Sequence, residues 1–267
     1  MKENGRHAEK GQIELAAMRF RNGSWERISD PAAEEVRLRV QWNDPSGGAS
    51  GSAELWAWPH ESEHLALGHV LLECLPRSTK EEEGSAAGAS ALCRKRRSAV
   101  VTSAGEHAYT VELGPPASES EPVPPASWNA EALLAAMRGF MEGGGGWEET
   151  GCFHRAGVFD LCADRLVRRV EDIGRNNCLD RLAGWSAAEG VPLSDKALLT
   201  SARITASYCA KALRAGFRIL VGRSAVTGGS VVLAERLDVT LVGFARTEEH
   251  RFTVFADGPG RLSGPLR

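Results

Sequence analysis

The chain has 267 residues, 42% hydrophobic and 25% charged, the size and composition of one large or two small globular domains. Its formal net charge of −3 predicts no general affinity for nucleic acid or for anionic membranes. The polar start MKENGRHAEKGQ lacks the apolar core of a secretory signal and no stretch is long and apolar enough to cross a bilayer, so cytoplasm is the expected compartment.

Residues 1–12 read as a disordered lead-in. From Ile13 to Trp42 the pattern is strand-like, clearest in VRLRVQW, where Val36, Leu38 and Val40 alternate with Arg37 and Arg39. NDPSGGASGS must turn or loop. Residues 61–75 predict an amphipathic helix with Leu65, Leu67, Val70 and Leu71 on its apolar face. A polar, low-complexity stretch follows over 76–98, with RKRR at 94–97, a solvated charge run or an anion contact. HAYTVEL is strand-like, and GPPASESEPVPPAS (114–127) is a linker, since its prolines can neither join a ladder nor continue a helix. The expected organisation is a smaller α+β region over 13–113 and an α/β domain over 128–267.

Ser127 is the expected N-cap of a helix carrying Leu133, Met137, Phe140 and Met141 on one face, and the GGGG run ends it. Strands and helices then alternate: RLVRRV, a helix over Asn176–Glu189, KALLTS, a helix ending at Gly216, FRILV, a helix around Val231–Leu237, and VTLVGF. Such alternation predicts a parallel sheet with right-handed crossovers, which binds ligands at the carboxyl ends of its strands.

Those ends carry EDIGRNN (171–177), Ala202 and Arg203, RSAVTGG (223–229) and ARTEEHR (245–251). Arginine makes bidentate bonds to phosphate oxygens, and glycine lets backbone N–H groups approach them. Glu171 and Asp172 suit the N–H donors of a guanine or pterin ring. The alternative is that the arginines pair with acids on the rim of the sheet. In TGCFHRAGVFD (150–160), His154 is either an acid/base or ligand donor or a histidine satisfied in a turn. Cys152 is a nucleophile if its thiol is acidified and otherwise a structural cysteine. The six cysteines show no C-x-x-C pair, so neither a disulfide framework nor a zinc site is expected.

In order, TGCFHRAGVFD, EDIGRNNCLDRLAGW, SDKALLTSARIT, KALRAGFRILVGRSAVTGGSVVLAERLDVTLVGFAR and RFTVFA resemble the C-terminal half of the FdhD/NarQ family of formate dehydrogenase accessory proteins. VRLRVQWN, Pro59 and LALGHVLLE resemble its N-terminal strand and helix. The resemblance implies a cytidine-deaminase-like α/β fold, often a homodimer. It implies binding of molybdenum bis(molybdopterin guanine dinucleotide), for which GDP is a surrogate. It further implies a cysteine desulfurase that loads a persulfide on a Cys-Gly-x-Cys-Gly loop, and a formate dehydrogenase that receives the finished cofactor. On the matching motif positions, the implied cofactor-binding residues are Phe244, Ala245, Arg246, Arg251, Arg203, Thr150, Gly151, His154, Glu171, Asp172, Gly174, Arg175 and Asn177. Two extra residues interrupt the stretch before Arg251.

The cysteine loop is where the chain departs. TSAGEHAYTVEL (102–113) stands in its place, with Ala104 or Gly105 and His107 where the thiols belong, and none of these can carry a persulfide. Asn176 replaces the histidine of EDVGRHN, Cys152 the second glycine of the TGG turn, and Arg181 a lysine. Two readings follow: a sulfur carrier acting through Cys152 or Cys93, or a cofactor-binding relative that has lost sulfur transfer. A deaminase is not expected, because the H-x-E…P-C-x-x-C signature is absent.

Overall fold

The computed structural model describes residues 11–45, 50–75, 97–116 and 127–263. The lead-in up to residue 10, the stretch 76–96 with Cys93, and residues 117–126 lie outside the described residues. The linker expected over 114–127 starts later than predicted, because Gly114, Pro115 and Pro116 end a strand that begins at Ala108, with Pro116 paired to Arg97 beside a bulge that accommodates it.

The strand-like stretch near the start resolves into three strands. β1 (Gln12–Arg21) and β2 (Ser24–Ala33) form a hairpin about Asn22-Gly23, both at positive φ, the residue pair that a tight hairpin turn favours. β3 (Val36–Asn43) joins β4 (Gly51–Ala57), β5 (Arg97–Gly105) and β6 (Ala108–Pro116) in a four-stranded sheet of order β4-β3-β6-β5. β3 and β6 are parallel, while the outer pairs are antiparallel. The alternation in VRLRVQW does its expected work: Leu38 and Val40 are buried, Arg37 and Arg39 exposed. Leu65, Ala66 and Val70 pack on them from helix α1 (Ser62–His69) and from the single π turn Val70–Cys74 that continues it.

The second unit begins at β7 (Trp128–Asn129) and α2 (Ala130–Met141). Its N-cap is Asn129 and not Ser127: Asn129 Oδ1 accepts from Ala132 N at 2.7 Å. There follow α3 (Gly146–Thr150), β8 (His154–Asp160), β9 (Arg165–Asp172), α4 (Arg175–Glu189), β10 (Lys196–Thr200), α5 (Ala206–Ala215), β11 (Ile219–Gly222), α6 (Gly228–Arg236), β12 (Thr240–Arg246), β13 (Arg251–Ala256) and β14 (Leu262–Ser263). β14 pairs with β7, and the rest form a six-stranded sheet of order β13-β12-β11-β10-β8-β9.

This sheet is mixed, where strand–helix alternation alone predicts a parallel one. Only β10, β11 and β12 are mutually parallel neighbours. β8, not recognised as a strand from its sequence, lies antiparallel between β9 and β10, because a turn too short for a crossover helix joins it to β9. Within each strand, successive residues serve opposite faces. Leu198, Leu220 and Leu241 pack under α4, α5 and α6, while Leu199, Val221 and Val242 pack under α2. The expected α/β architecture, a sheet flanked by helices with a strand-rich N-terminal region, is the one observed.

The two units are joined by α1 crossing α4. A Cβ on Gly68 would stand 1.8 Å from Asp180 O, and one on Gly184 would stand 1.9 Å from His64 O, so only glycine lets the backbones meet. Beside the crossing, buried Asp180 accepts from Lys211 Nζ at 2.8 Å and faces His69 Nδ1 at 3.5 Å. Burial opposes a charge on His69, but the Asp180 contact outweighs it and raises the imidazole to about 9.

Candidate functional site

β9, β10, β11 and β12 run in one direction, and β8 and β13 run against them. Four carboxyl ends and the start of β8 therefore share one edge of the sheet. Its loops are laced together: Arg155 N donates to Ser201 Oγ (2.9 Å), Arg223 N to Thr200 O (2.9 Å), Ser224 Oγ to Ser201 O (2.8 Å) and Phe244 N to Ser224 O (3.0 Å).

The acidic pair expected to meet a ring is spent inside the protein. Asp172 is fully buried. It accepts from Gly174 N and Asn177 Nδ2 at 2.9 Å each, and from Arg181 Nη2 at 2.5 Å. Arg181 in turn donates to the carbonyls of Trp58, His60 and Glu61, tying the N-terminal unit to α4. Asn177 also reaches Trp56 O. Glu171 accepts from Arg155 Nε at 2.6 Å and from Gly146 N at 2.9 Å. Arg155 is 1% exposed; it also donates to Met141 O and pairs with Glu148. Arg155 and Arg181 were not anticipated in these roles. The available signal was a cation in otherwise apolar surroundings, since buried charges need partners.

Several other expected site residues serve the backbone. Thr150 Oγ1 donates to Gly146 O and accepts from Cys152 N, closing the end of α3. Gly151 caps that helix at φ 72°, a left-handed conformation suited to glycine. Ala245 is fully buried in the core beneath α2, so its side chain meets no ligand.

At the β12–β13 corner, Phe244 is a non-glycine residue at φ 51°, a strained conformation of the kind that collects at functional sites. The Arg246 and Arg251 guanidinium groups lie 5.5 and 5.6 Å from its ring centre. The interrupted stretch there is a 3-10 turn, Thr247–Glu249. Its Glu249 carboxylate takes both arginines, Arg246 at 2.6 Å. Arg223 pairs with Glu248 at 2.5 Å.

Toward β9 the pattern changes. Among the described residues, Arg175 and Arg203 have no carboxylate or carbonyl partner, and Arg175 Nε is buried without a hydrogen bond. Arg203 is exposed, one residue beyond buried Ala202. α4 begins at Gly174 with no side-chain cap, unlike α2 and α5, so no side chain at its N-cap takes up its first amides. His154, paired in register with Asp172, joins the two arginines. Burial, then Arg175 and Arg203, hold its imidazole below the usual range, against the pull of Asp172. A histidine held below its usual range, two guanidinium groups unpaired among the described residues and a helix start without a side-chain cap thus lie together, the kind of arrangement that attracts anions.

The thiols divide clearly. Cys178 and Cys209 are buried. Burial pushes the first well above the usual thiol range and the second to about 12, so neither is a ready nucleophile. Cys152 and Cys162 are exposed. In the place of the family's cysteine loop, β5 and β6 meet in a tight turn at Glu106-His107.

A cleft of about 310 Å³ opens beside β9, lined by Trp58, His60, Glu61, Arg168, Arg169 and Glu171 among others. Arg168 pairs with Glu61 there, and Arg169 donates to Gly144 O. No group of His, Cys, Asp and Glu among the described residues could hold a metal ion.

Residues 33–263 match the FdhD/NarQ family. The chain is 36% identical to the sulfur carrier protein FdhD of Bacillus subtilis over 43% of its own length and 44% of that protein. It is 36% identical to protein FdhD of Methanocaldococcus jannaschii over 42% and 48%. These matches span less than half of either relative. The sulfur carrier protein FdhD of Chromobacterium violaceum is 30% identical over 89% of this chain and 93% of that protein. The fold is that of a crystal structure of a candidate formate dehydrogenase accessory protein from Desulfotalea psychrophila, with a TM-score of 0.73 at 20% identity, covering 94% and 99% of the two chains. With most of its length matched in sequence as well as in fold, this chain belongs to the FdhD/NarQ family.

Proposed function

We propose that this chain is an accessory protein of formate dehydrogenase maturation that takes the molybdenum bis(molybdopterin guanine dinucleotide) cofactor as cargo at the carboxyl edge of its six-stranded sheet. One observation carries the reading: Arg175 and Arg203 stand unpaired beside His154 and the uncapped start of α4, with Arg175 Nε buried and unbonded. A buried donor without an acceptor is costly, and a pyrophosphate oxygen is the acceptor this geometry invites. Phe244, flanked by Arg246 and Arg251, offers a platform for a guanine or pterin ring.

Sulfur handling is the second part of the reading. The β5–β6 turn presents no thiol, so a persulfide received from a cysteine desulfurase must sit elsewhere. Cys152 is the residue with a specific observation behind it: it is exposed and lies two residues before His154. Persulfide formation with labelled sulfur, mapped by mass spectrometry, and GDP binding by calorimetry test the two parts separately. Label on Cys152 with GDP bound supports both. GDP binding without label leaves a cofactor-binding accessory protein that transfers no sulfur. Absence of GDP binding by the folded chain overturns the placement of the cargo site.

A further inference from the structure

The turn that follows β10 is held on both sides of Arg203. Thr200, the last residue of the strand, is fully buried. Its hydroxyl uses its whole bonding capacity. It donates to Arg155 O at 3.2 Å and accepts from Ala202 N and Tyr208 Oη at 3.1 Å each. Tyr208, in the first turn of α5, is fully buried as well. On the far side, Ile204 N donates to Ala225 O at 3.0 Å. Ile204 O accepts from Thr227 N at 3.1 Å and from Ser230 Oγ at 2.9 Å. Ala202 and Ile204 are buried, and Arg203 between them is exposed. The support has something to oppose. Arg203 and Arg175 both act on His154, so like charges gather at one place, and a loosely hinged turn would let Arg203 retreat into water.

We propose that Thr200 and Tyr208 are positioning residues: their hydrogen-bonded pair fixes the turn that carries Arg203, and so holds its guanidinium group beside Arg175 and His154 for an anionic ligand. The inference deepens the cargo-site reading and rests on it for the ligand, but the positioning itself can be read in the free protein. Mutual satisfaction of two buried hydroxyls is the competing account of the bond. The two accounts differ in what happens at His154 when the bond is cut.

The test uses the full chain and a substitution that keeps the side-chain shape. Tyr208→Phe removes one donor and leaves no buried donor without an acceptor. His154 is titrated by NMR in the free protein; the charged groups that act on it are Arg175 on α4, Arg203 after β10 and Asp172 on β9. With the turn released, Arg203 withdraws and the His154 midpoint should rise toward the ordinary histidine range. GDP should bind about tenfold more weakly, a partial loss of one charge-assisted contact. Thr200→Val, which cuts all three bonds, should move both readings further, while Thr200→Ser should match the wild type. Should Thr200→Val fail to fold, Tyr208→Phe decides alone. Arg203→Ala supplies the control: in that background Tyr208→Phe should move neither reading, whereas a purely structural pair would act equally in both backgrounds. Equal effects in the two backgrounds, or an unchanged His154 midpoint in folded Tyr208→Phe, overturn the proposal. A wild-type chain that binds no GDP removes the cargo reading instead, and the His154 titration still decides whether the pair positions Arg203.

Discussion

At the β12–β13 corner, Arg246 and Arg251 share the Glu249 carboxylate, and Arg223 pairs with Glu248. At the β8–β9 end of the same edge, Arg175 and Arg203 have no such partner among the described residues, while Glu171 and Asp172 close by are consumed by Arg155 and Arg181. One residue type, on one edge, thus stands in two electrostatic states. The pairs hold the loops and the two units in place; the unpaired guanidinium groups are what remains for a ligand. Motif position alone does not separate them, because the family resemblance weights Arg246 and Arg251 as heavily as Arg175 and Arg203.

The largest effect belongs on the paired side. Asp172→Asn keeps the shape but strips the counter-charge from Arg181, which is 1% exposed. Breaking a buried pair in this way costs about 3–5 kcal/mol, so chemical denaturation should show a fall of that size. A loss under about 1 kcal/mol would mean that the three carbonyls on Arg181 suffice, and the paired half would lose its structural role.

Next comes Arg175→Ala/Arg203→Ala, set beside Arg246→Ala/Arg251→Ala. Each charge-assisted bond contributes about 1.5–3 kcal/mol, so the first double variant should weaken GDP binding about 100-fold or more. Its stability should hold or rise, since two like charges beside His154 are removed. The second should weaken binding by about tenfold at most, because Glu249 already holds both guanidinium groups. The reverse ranking, measured by calorimetry, would move the phosphate subsite to the Phe244 corner.

The pairing at the α1–α4 crossing has a pH signature. His69 is raised to about 9 in the folded chain, against about 6.5 unfolded. Below pH 6.5 both states hold the proton and its contribution is complete. As pH rises toward 9 the unfolded chain gives up the proton and the folded one keeps it, so stability falls. About 2 kcal/mol should be lost between pH 6.5 and 8.5, before ionisation of the Cys178 and Cys209 thiols in the unfolded chain adds its own loss. His69→Gln should flatten that slope, and an unchanged slope would assign the dependence to another group.

Much of this fold was legible in the sequence because periodicity reports burial directly. The alternation in VRLRVQW and the apolar run KALLTS needed no further context, and Gly190 and Gly216 marked the ends of α4 and α5. Strand direction was not legible. TGCFHRAGVFD mixes turn residues with a core strand, and missing β8 hides the hairpin that makes the sheet mixed. The site was half legible for a related reason. Arginine-rich strand ends can be read locally, but whether an arginine is free depends on partners such as Glu249, or on the nine residues that separate Asp172 from Arg181. Pairing across that distance is set by the fold and leaves no local pattern.

His154 carries the smallest effect and separates the two halves of the edge most sharply. Burial and its two cationic neighbours keep it neutral in the free protein. A phosphate between Arg175 and Arg203 would offset their charge and raise the imidazole, so binding takes up a proton. Affinity for GDP should therefore increase as pH falls from the bound-state value toward the free-state one, by at most about tenfold per unit, and the heat of binding should vary with the ionisation enthalpy of the buffer. His154→Gln should abolish the proton uptake while leaving binding at pH 8 within about threefold, since a neutral side chain replaces a neutral imidazole. Proton uptake that survives the substitution would place the titrating group elsewhere, and an affinity independent of pH in the wild type would show that the phosphates settle away from His154, beside the paired arginines.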